Sequence, residues 1–361
     1  MKIALVHDYL NQAGGAERVV ECLHEIYPEA PIYTSIYDRN SMPEAFKKMD
    51  VRTSFMQHLP LVMKHFKKYL PLFPFAFESF DLSGYDLILS SSSAWGKGIK
   101  KRKDQLHICY CHSPMRFVWM YKAYMEREEY GPVTRLMLQP VLRWLQKWDL
   151  RTNKRVDHFI ANSLTTQKRI KLFYGRDSHV INPPVDTSFF KPYNSEIGDY
   201  FLVVSRLNPY KRIDLAVEAF NETGLPLIVA GSGPDEKRLR KLAKPNITFL
   251  GKVSDQEVVK YYSSCRAFVL PGEEDFGLTP VEAQACGRPA IAYRAGGATE
   301  SIIEGRTGMF FDRQDTPSLI DALKRFDHRS FDPKLIRENA LRFDKEVFKQ
   351  KIREFVNGKR A

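Results

Sequence analysis

Two glutamates, Glu274 and Glu282, stand in a Glu-x7-Glu arrangement around Asp275-Phe276-Gly277-Leu278-Thr279-Pro280-Val281. The apolar run 267–271 before them predicts a strand, and a helix is expected to open here and end near Cys286-Gly287. Thr279 suits the N-cap and Pro280 the first helical position, where a missing N–H removes nothing needed. A helix N-terminus attracts phosphate because its unpaired N–H groups and its dipole point the same way. With Gly277, Leu278 and Thr279 at that terminus, Glu274 is placed to reach a sugar and Glu282 to accept two ribose hydroxyls. The expected chemistry is the holding of a nucleotide sugar. The plainer reading is a capping box, in which Glu282 only satisfies a backbone N–H opposite Thr279.

A diphosphate also needs cations. Arg206 and Lys211, five apart in Ser205-Arg206-Leu207-Asn208-Pro209-Tyr210-Lys211-Arg212, could supply a planar fork and a point charge. Arg212 is an adjacent rival to Lys211, and surface charge before a helix is the bland alternative. In the first half, the strand-like run 106–111 ends in His112-Ser113-Pro114-Met115-Arg116, where α/β sheets place functional groups. Near the start, a β-type run from Lys2 to Tyr9 leads to Gly14-Gly15 and an amphipathic helix through about residue 27. Two glycines there allow close approach of a ligand, although such a turn is more often structural. The pattern is not Gly-x-Gly-x-x-Gly, so a dinucleotide is not indicated.

The elements that must position these residues read as two α/β domains. The chain has 361 residues, enough for two cores, and its 43% apolar and 27% charged content is ordinary for a globular enzyme. Residues 1–183 form the expected first domain, with strands ending near residues 89, 111 and 163 and a further strand over 180–186. Residues 184–198, marked by Pro184 and Pro192, read as a linker. Residues 199–340 alternate strands and helices at βαβ spacing, which predicts a parallel, doubly wound sheet. A charged helical segment, 341–361, closes the chain.

Composition narrows the setting. No apolar run approaches a membrane span, and the N-terminus is too short and too soon charged for a signal peptide. The five cysteines have no metal-type spacing, so reduced thiols and a cytoplasmic location are expected. Cys109-Tyr110-Cys111 alternates like a strand, which puts the two thiols on one face. No Asp-x-Asp and no His/Cys cluster offers a metal site. A net charge of +12 suits acidic substrates or an anionic membrane surface, and no nucleic-acid module is recognisable. Residues 58–80 interleave Lys, Phe, Tyr and Leu, as a membrane-interface segment would, or as two proline-broken core helices would. Lys97, Lys100, Lys101, Arg102 and Lys103 form a cationic run that reads as a solvated face or a lipid-docking patch. The aromatic stretch 119–130 suits the wall of an acceptor pocket, or core. The helix expected over 136–154 carries Trp144 and Trp148 on one face.

These motifs together resemble family 4 retaining glycosyltransferases. The resemblance is carried by Glu-x7-Glu with Phe-Gly-Leu inside it, by Glu282-Ala283-x-Ala285-x-Gly287-x-Pro289-x-Ile291, and by Gly231-Ser232-Gly233-Pro234. Gly251-Lys252-Val253-Ser254, Arg294-Ala295-Gly296-Gly297 and the His112-x-Pro114 loop extend it. It implies the GT-B fold, two Rossmann-like domains facing across a cleft, with a last helix that crosses back to the first domain. It further implies Arg206 and Lys211 on the leaving diphosphate, Gly231 and Val253 framing the nucleotide, and Glu282 on the ribose. Glu274 and His112 would meet the donor sugar at its reacting centre, with Gly14 and Gly15 near the donor phosphates and Tyr9 and Arg116 toward the acceptor. Metal-independent catalysis with retention, with no cofactor beyond the nucleotide sugar, belongs to the same implication. His7-Asp8-Tyr9 with Gly14-Gly15-Ala16-Glu17-Arg18 is most similar to bacterial mannosyltransferases of O-antigen and exopolysaccharide assembly. Those imply GDP-mannose as donor and a lipid-linked or oligosaccharide acceptor at the inner face of the membrane. A UDP-sugar donor, a nucleotide-sugar epimerase and a non-catalytic sensor are the rivals.

Overall fold

A computed structural model describes residues 1–121, 132–193 and 196–359, with the side chains of 132–136 excepted. The chain divides into two compact units, Met1–Pro183 with Phe348–Ala361, and Pro184–Val347.

The first unit is built on seven parallel strands: β1 (Ile3–His7), β2 (Ile32–Thr34), β3 (Val51–Thr53), β4 (Leu87–Ser92), β5 (Leu106–Cys111), β6 (His158–Ala161) and β7 (Ser178–Val180). Their order is β3-β2-β1-β4-β5-β6-β7, so the winding reverses between β1 and β4. The central strands are apolar on both faces, as a sheet covered twice requires. Helix α1 (Gly15–Ile26) lays Val19, Val20 and Leu23 against Leu5, Leu87 and Leu89 on one face. On the other face Phe73, Phe77, Trp95 and Trp148 pack on Val6 and Ile88. The thiols of Cys109 and Cys111 share one cluster and Tyr110 lies in the opposite one, as alternation demands.

The second unit has six parallel strands: β8 (Phe201–Val204), β9 (Leu227–Ala230), β10 (Ile247–Gly251), β11 (Phe268–Leu270), β12 (Ala290–Tyr293) and β13 (Gly308–Phe311). The order β10-β9-β8-β11-β12-β13 again reverses beside the unit's first strand, between β8 and β11. Phe201 and Val203 face one core while Leu202 faces the other. Burying a side chain such as Phe220 contributes about 1.5–3 kcal/mol. The doubly wound α/β class expected from the sequence is observed in both units.

Several local expectations give way. Residues 184–193 are no free linker: Val185 and Phe190 are buried in the second unit's core, and the Val185 N–H donates to the Phe343 carbonyl at 2.9 Å. The strand expected over 180–186 lies earlier, at Ser178–Val180, because Pro183 and Pro184 have no N–H for a ladder. The last helix, Lys345–Gly358, adds Phe348, Ile352 and Val356 to the first unit's core, whereas Phe343 belongs to the second. In residues 58–80 the prolines break short helices whose Val62, Phe73 and Phe77 are core. Leu61 and Phe75 stay 68% and 56% exposed there.

The cationic run also breaks up. Lys97 is buried, 2.6 Å from the Asp149 carboxylate and under the rings of Trp148 and Tyr174. Lys101 pairs with Asp157 and Arg102 with Asp104. Trp119 stacks on Phe173 and donates its indole N–H to Asp149 at 2.7 Å. Residues 122–130 of the expected acceptor wall lie outside the described residues. Trp144 and Trp148 differ in setting, the first partly exposed and stacked on Phe75, the second buried. Among the described residues no helix is long and apolar enough to cross a membrane.

Candidate functional site

The loops at the carboxyl ends of β8 and β11 flank the point where the second sheet reverses its winding, the place where open α/β sheets leave a crevice. From β8 the chain runs through Arg206, which is exposed, into a single 3-10 turn, Pro209–Lys211. Arg212 then takes a left-handed conformation, φ 57°, and precedes helix α2 (Ile213–Thr223). Its guanidinium turns to Asp214 at 3.2 Å, inside its own helix start. Lys211 instead crosses to the other loop and pairs with the carboxylate of Glu274, both side chains being mostly buried. The two rival cations thus have different partners.

Glycines let these loops touch backbone to backbone. Gly231, at φ +130°, has no room for a side chain: a Cβ would lie 1.9 Å from the Ser205 carbonyl oxygen. Its N–H reaches the Gly251 carbonyl at 2.7 Å, and so ties the β9 loop to the segment holding Val253. At Gly296, φ +62°, a Cβ would fall 2.1 Å from the Glu274 carbonyl oxygen. The neighbouring Gly297 N–H holds that same oxygen at 3.0 Å. Glu274 is therefore fixed at its backbone from β12 and at its carboxylate from β8.

The helix after this loop, α3 (Leu278–Ala285), starts earlier than expected. Gly277 is its N-cap with φ 82°, a conformation that L side chains avoid, so Thr279 lies inside the first turn and makes no cap. No capping box forms. Glu282 is buried, and one of its carboxylate oxygens accepts the Tyr262 hydroxyl at 2.9 Å. Sequence reading missed Tyr262, which sits 20 residues upstream in the helix Asp255–Ser264 and carries no motif of its own. A capping box does occur at Ser254 and Glu257, directly after Val253.

The first unit gathers its candidates at the matching edge of its own sheet. Gly14 is the extended N-cap of α1 and Gly15 its first residue. Tyr9 packs on Phe66 with ring centroids 5.1 Å apart, and Arg116, partly exposed, opens a single turn, Arg116–Trp119. His112 follows β5, and its Nε2 is 2.8 Å from the Ser91 hydroxyl. Three consecutive serines each hold a different partner: Ser90 meets His107 at 2.9 Å, Ser91 meets His112, and Ser92 donates to Asp8 at 3.0 Å. The Asp8 carboxylate also accepts the N–H groups of Ser93, Ala94, Trp95 and Gly96 at 2.6–2.9 Å. Such charge-assisted bonds fix the loop after β4.

Two buried histidines here differ in character. The Nδ1 of His7 is 2.9 Å from the Ser91 carbonyl, an acceptor, so that nitrogen carries the proton. Its Nε2 faces the Glu17 carboxylate at 3.6 Å. Burial works against the charged ring, but Glu17, Asp8 and the Ser91 carbonyl outweigh it and raise the pKa. For His107, burial dominates and pushes the pKa down to about 3. None of these contacts is visible in the sequence, apart from the strand ends that make them possible.

Two family models match in chain order, glycosyltransferase family 4 over residues 13–189 and glycosyl transferases group 1 over residues 185–343. A D-inositol 3-phosphate glycosyltransferase of Acidothermus cellulolyticus is 28% identical over 224 residues, 52% of this chain and 50% of that one. O-antigen chain mannosyltransferase C of Escherichia coli is 25% identical over 204 residues, 53% and 54% of the two chains. The chain thus matches about half the length of these curated relatives. The crystal structure of Anabaena HepE in complex with UDP-glucose superposes with a TM-score of 0.71 at 19% identity, covering 99% of this chain and 100% of that one. At that identity the likeness shows the fold. With two parallel sheets of seven and six strands and both models matched in order, the chain belongs to the family 4 glycosyltransferases of GT-B fold.

Proposed function

We propose that this protein is a retaining, metal-independent hexosyltransferase that moves mannose from GDP-mannose onto a lipid-linked or saccharide acceptor in cell-surface polysaccharide assembly. The observation that carries the reading is the Lys211–Glu274 pair, set between the β8 and β11 loops where the second sheet reverses. Arg206 and Lys211 neutralise the diphosphate, and the N-terminus of α3 at Leu278 and Thr279 adds N–H groups. Glu274 positions the sugar, and Glu282, oriented by Tyr262, takes the ribose. The bond between the sugar's anomeric carbon and the β-phosphate oxygen breaks as the acceptor oxygen bonds to the same face. The acceptor's proton passes to the departing phosphate, and the nucleoside diphosphate leaves.

The name of the E. coli relative supports mannose, whereas the ligand of the Anabaena structure keeps a UDP-sugar as the rival donor. Exposed Leu61 and Phe75 beside exposed Lys64, Lys67 and Lys68 support peripheral docking on anionic lipid at the cytoplasmic face. Calorimetric titration of GDP, UDP and ADP with EDTA present tests the donor. Selective GDP binding is expected, followed by turnover of GDP-mannose on a lipid acceptor. Selective UDP binding would replace the donor, and no binding of any of the three would remove the reading.

A further inference from the structure

Four buried or half-buried side groups of the first unit form a connected line: the Glu17 carboxylate, the His7 ring, Ser91 and the His112 ring. Glu17 lies in the first turn of α1, directly behind Gly14 and Gly15. His7 stands opposite Ser91 in the β1–β4 register and donates from Nδ1 to its carbonyl at 2.9 Å. Ser91, 1% exposed, then presents its hydroxyl to His112 Nε2 at 2.8 Å. The His112 backbone is held as well, its N–H on the Ser92 carbonyl at 2.9 Å and its carbonyl under the Thr166 hydroxyl at 3.2 Å. The ring also meets Tyr110 edge-on, with centroids 5.2 Å apart. Ser91 adds a directional bond at Nε2 that sets the ring's rotation.

We infer that Ser91 is the positioning residue for His112, anchored from behind by the buried His7–Glu17 pair, and that it sets the ring orientation His112 brings to the transferred sugar. The inference rests on the role that the family resemblance implies for His112, contact with the donor sugar in the proposed transfer. A hydroxyl bonded to one ring nitrogen holds the ring plane, and a preset ring avoids reorganisation in the transition state.

The test labels the histidine ring nitrogens with 15N and assigns His112 by the signals lost in His112→Gln. In Ser91→Ala, the His112 Nε2 shift should move as its hydrogen bond is lost, and Ser91→Thr, which keeps the hydroxyl, should restore it. With the donor identified by calorimetry, kcat should fall about tenfold in Ser91→Ala, as for one lost hydrogen bond, with KM for the nucleotide sugar held within about twofold. Ser91→Thr should recover that rate. Unchanged His112 shifts in a folded Ser91→Ala overturn the inference, and so does an unchanged kcat. If His112→Gln itself turns over normally while the Ser91→Ala shifts still move, it is the catalytic reading of His112 that fails.

Discussion

In the second unit, Gly231 and Gly296 bring loop backbones into contact and leave Lys211 and Glu274 paired across two loops, with Arg206 exposed beside them. In the first unit the equivalent sheet edge is held by side chains: Asp8 gathers four N–H groups, and three serines hold two histidines and that same aspartate. One edge is a scaffold of close backbones that presents charge, and the other is a buried hydrogen-bonded network in which the His107 Nδ1 is left without a hydrogen-bond partner among the described residues. The difference suits the ligand of fixed chemistry proposed for the second unit, a nucleoside diphosphate. A buried network tolerates single losses poorly, because each deletion strands a partner away from water.

The largest expected effect tests that last statement. Lys97→Ala leaves Asp149 buried without its cation and should cost about 3–5 kcal/mol, read as a lowered chemical-denaturation midpoint. A variant as stable as the parent would show that the first unit's polar interior is less coupled than its geometry says. Next comes Glu274→Ala, in which transfer should drop about 100-fold or more with only a modest fall in the thermal midpoint, since Lys211 loses its partner but keeps some contact with solvent. Near-normal turnover would strip the second edge of its chemical role.

A smaller effect has the opposite sign. Glu274→Gln removes the carboxylate that competes for Lys211, so GDP without its sugar should bind about fivefold tighter, as expected for a partly exposed ion pair of order 1 kcal/mol. Unchanged or weaker GDP binding, measured calorimetrically, would mean that Lys211 does not serve the diphosphate. Tyr262→Phe should loosen the orientation of Glu282 and reduce the preference for ribose over 2′-deoxyribose nucleotide by a few-fold. Equal preference in the two proteins would reduce Tyr262 to packing.

A further test of the buried network uses acidity. His107 is held neutral, with its pKa depressed to about 3 against about 6.5 in the unfolded chain. Between those values the unfolded state binds the extra proton, so stability falls as pH drops through that window. The limiting slope is about 1.4 kcal/mol per pH unit for one group. His7 acts in reverse: its raised pKa contributes stability below about pH 6.5, lost as pH rises through the folded value. Thermal melts of His107→Gln should therefore show a shallower decline on acidification. An unaltered decline would place the acid sensitivity elsewhere.

The doubly wound α/β class and the loops that carry Arg206, Lys211, Glu274 and His112 were legible in the amino-acid sequence, whereas the strands β2, β3 and β13 were not. Strand runs, helix periodicity and glycine turns are local features, each set by a few consecutive residues. A motif read at β11 located the second edge because Gly272 meets the Lys211 backbone and Gly277 needs a positive φ, which leaves a fixed spacing in the chain. Even there, local rules misplaced the helix start, since Gly277 and not Thr279 takes the cap. What only the tertiary structure decided depends on residues distant in sequence. Lys97 looks like surface charge until a helix some 50 positions later supplies Asp149. Ser91 is an ordinary strand serine until parallel register sets it between His7 and His112. Tyr262 acquires its partner only when its helix packs against α3. Burial and pairing are properties of the assembled core, so no window of sequence holds them.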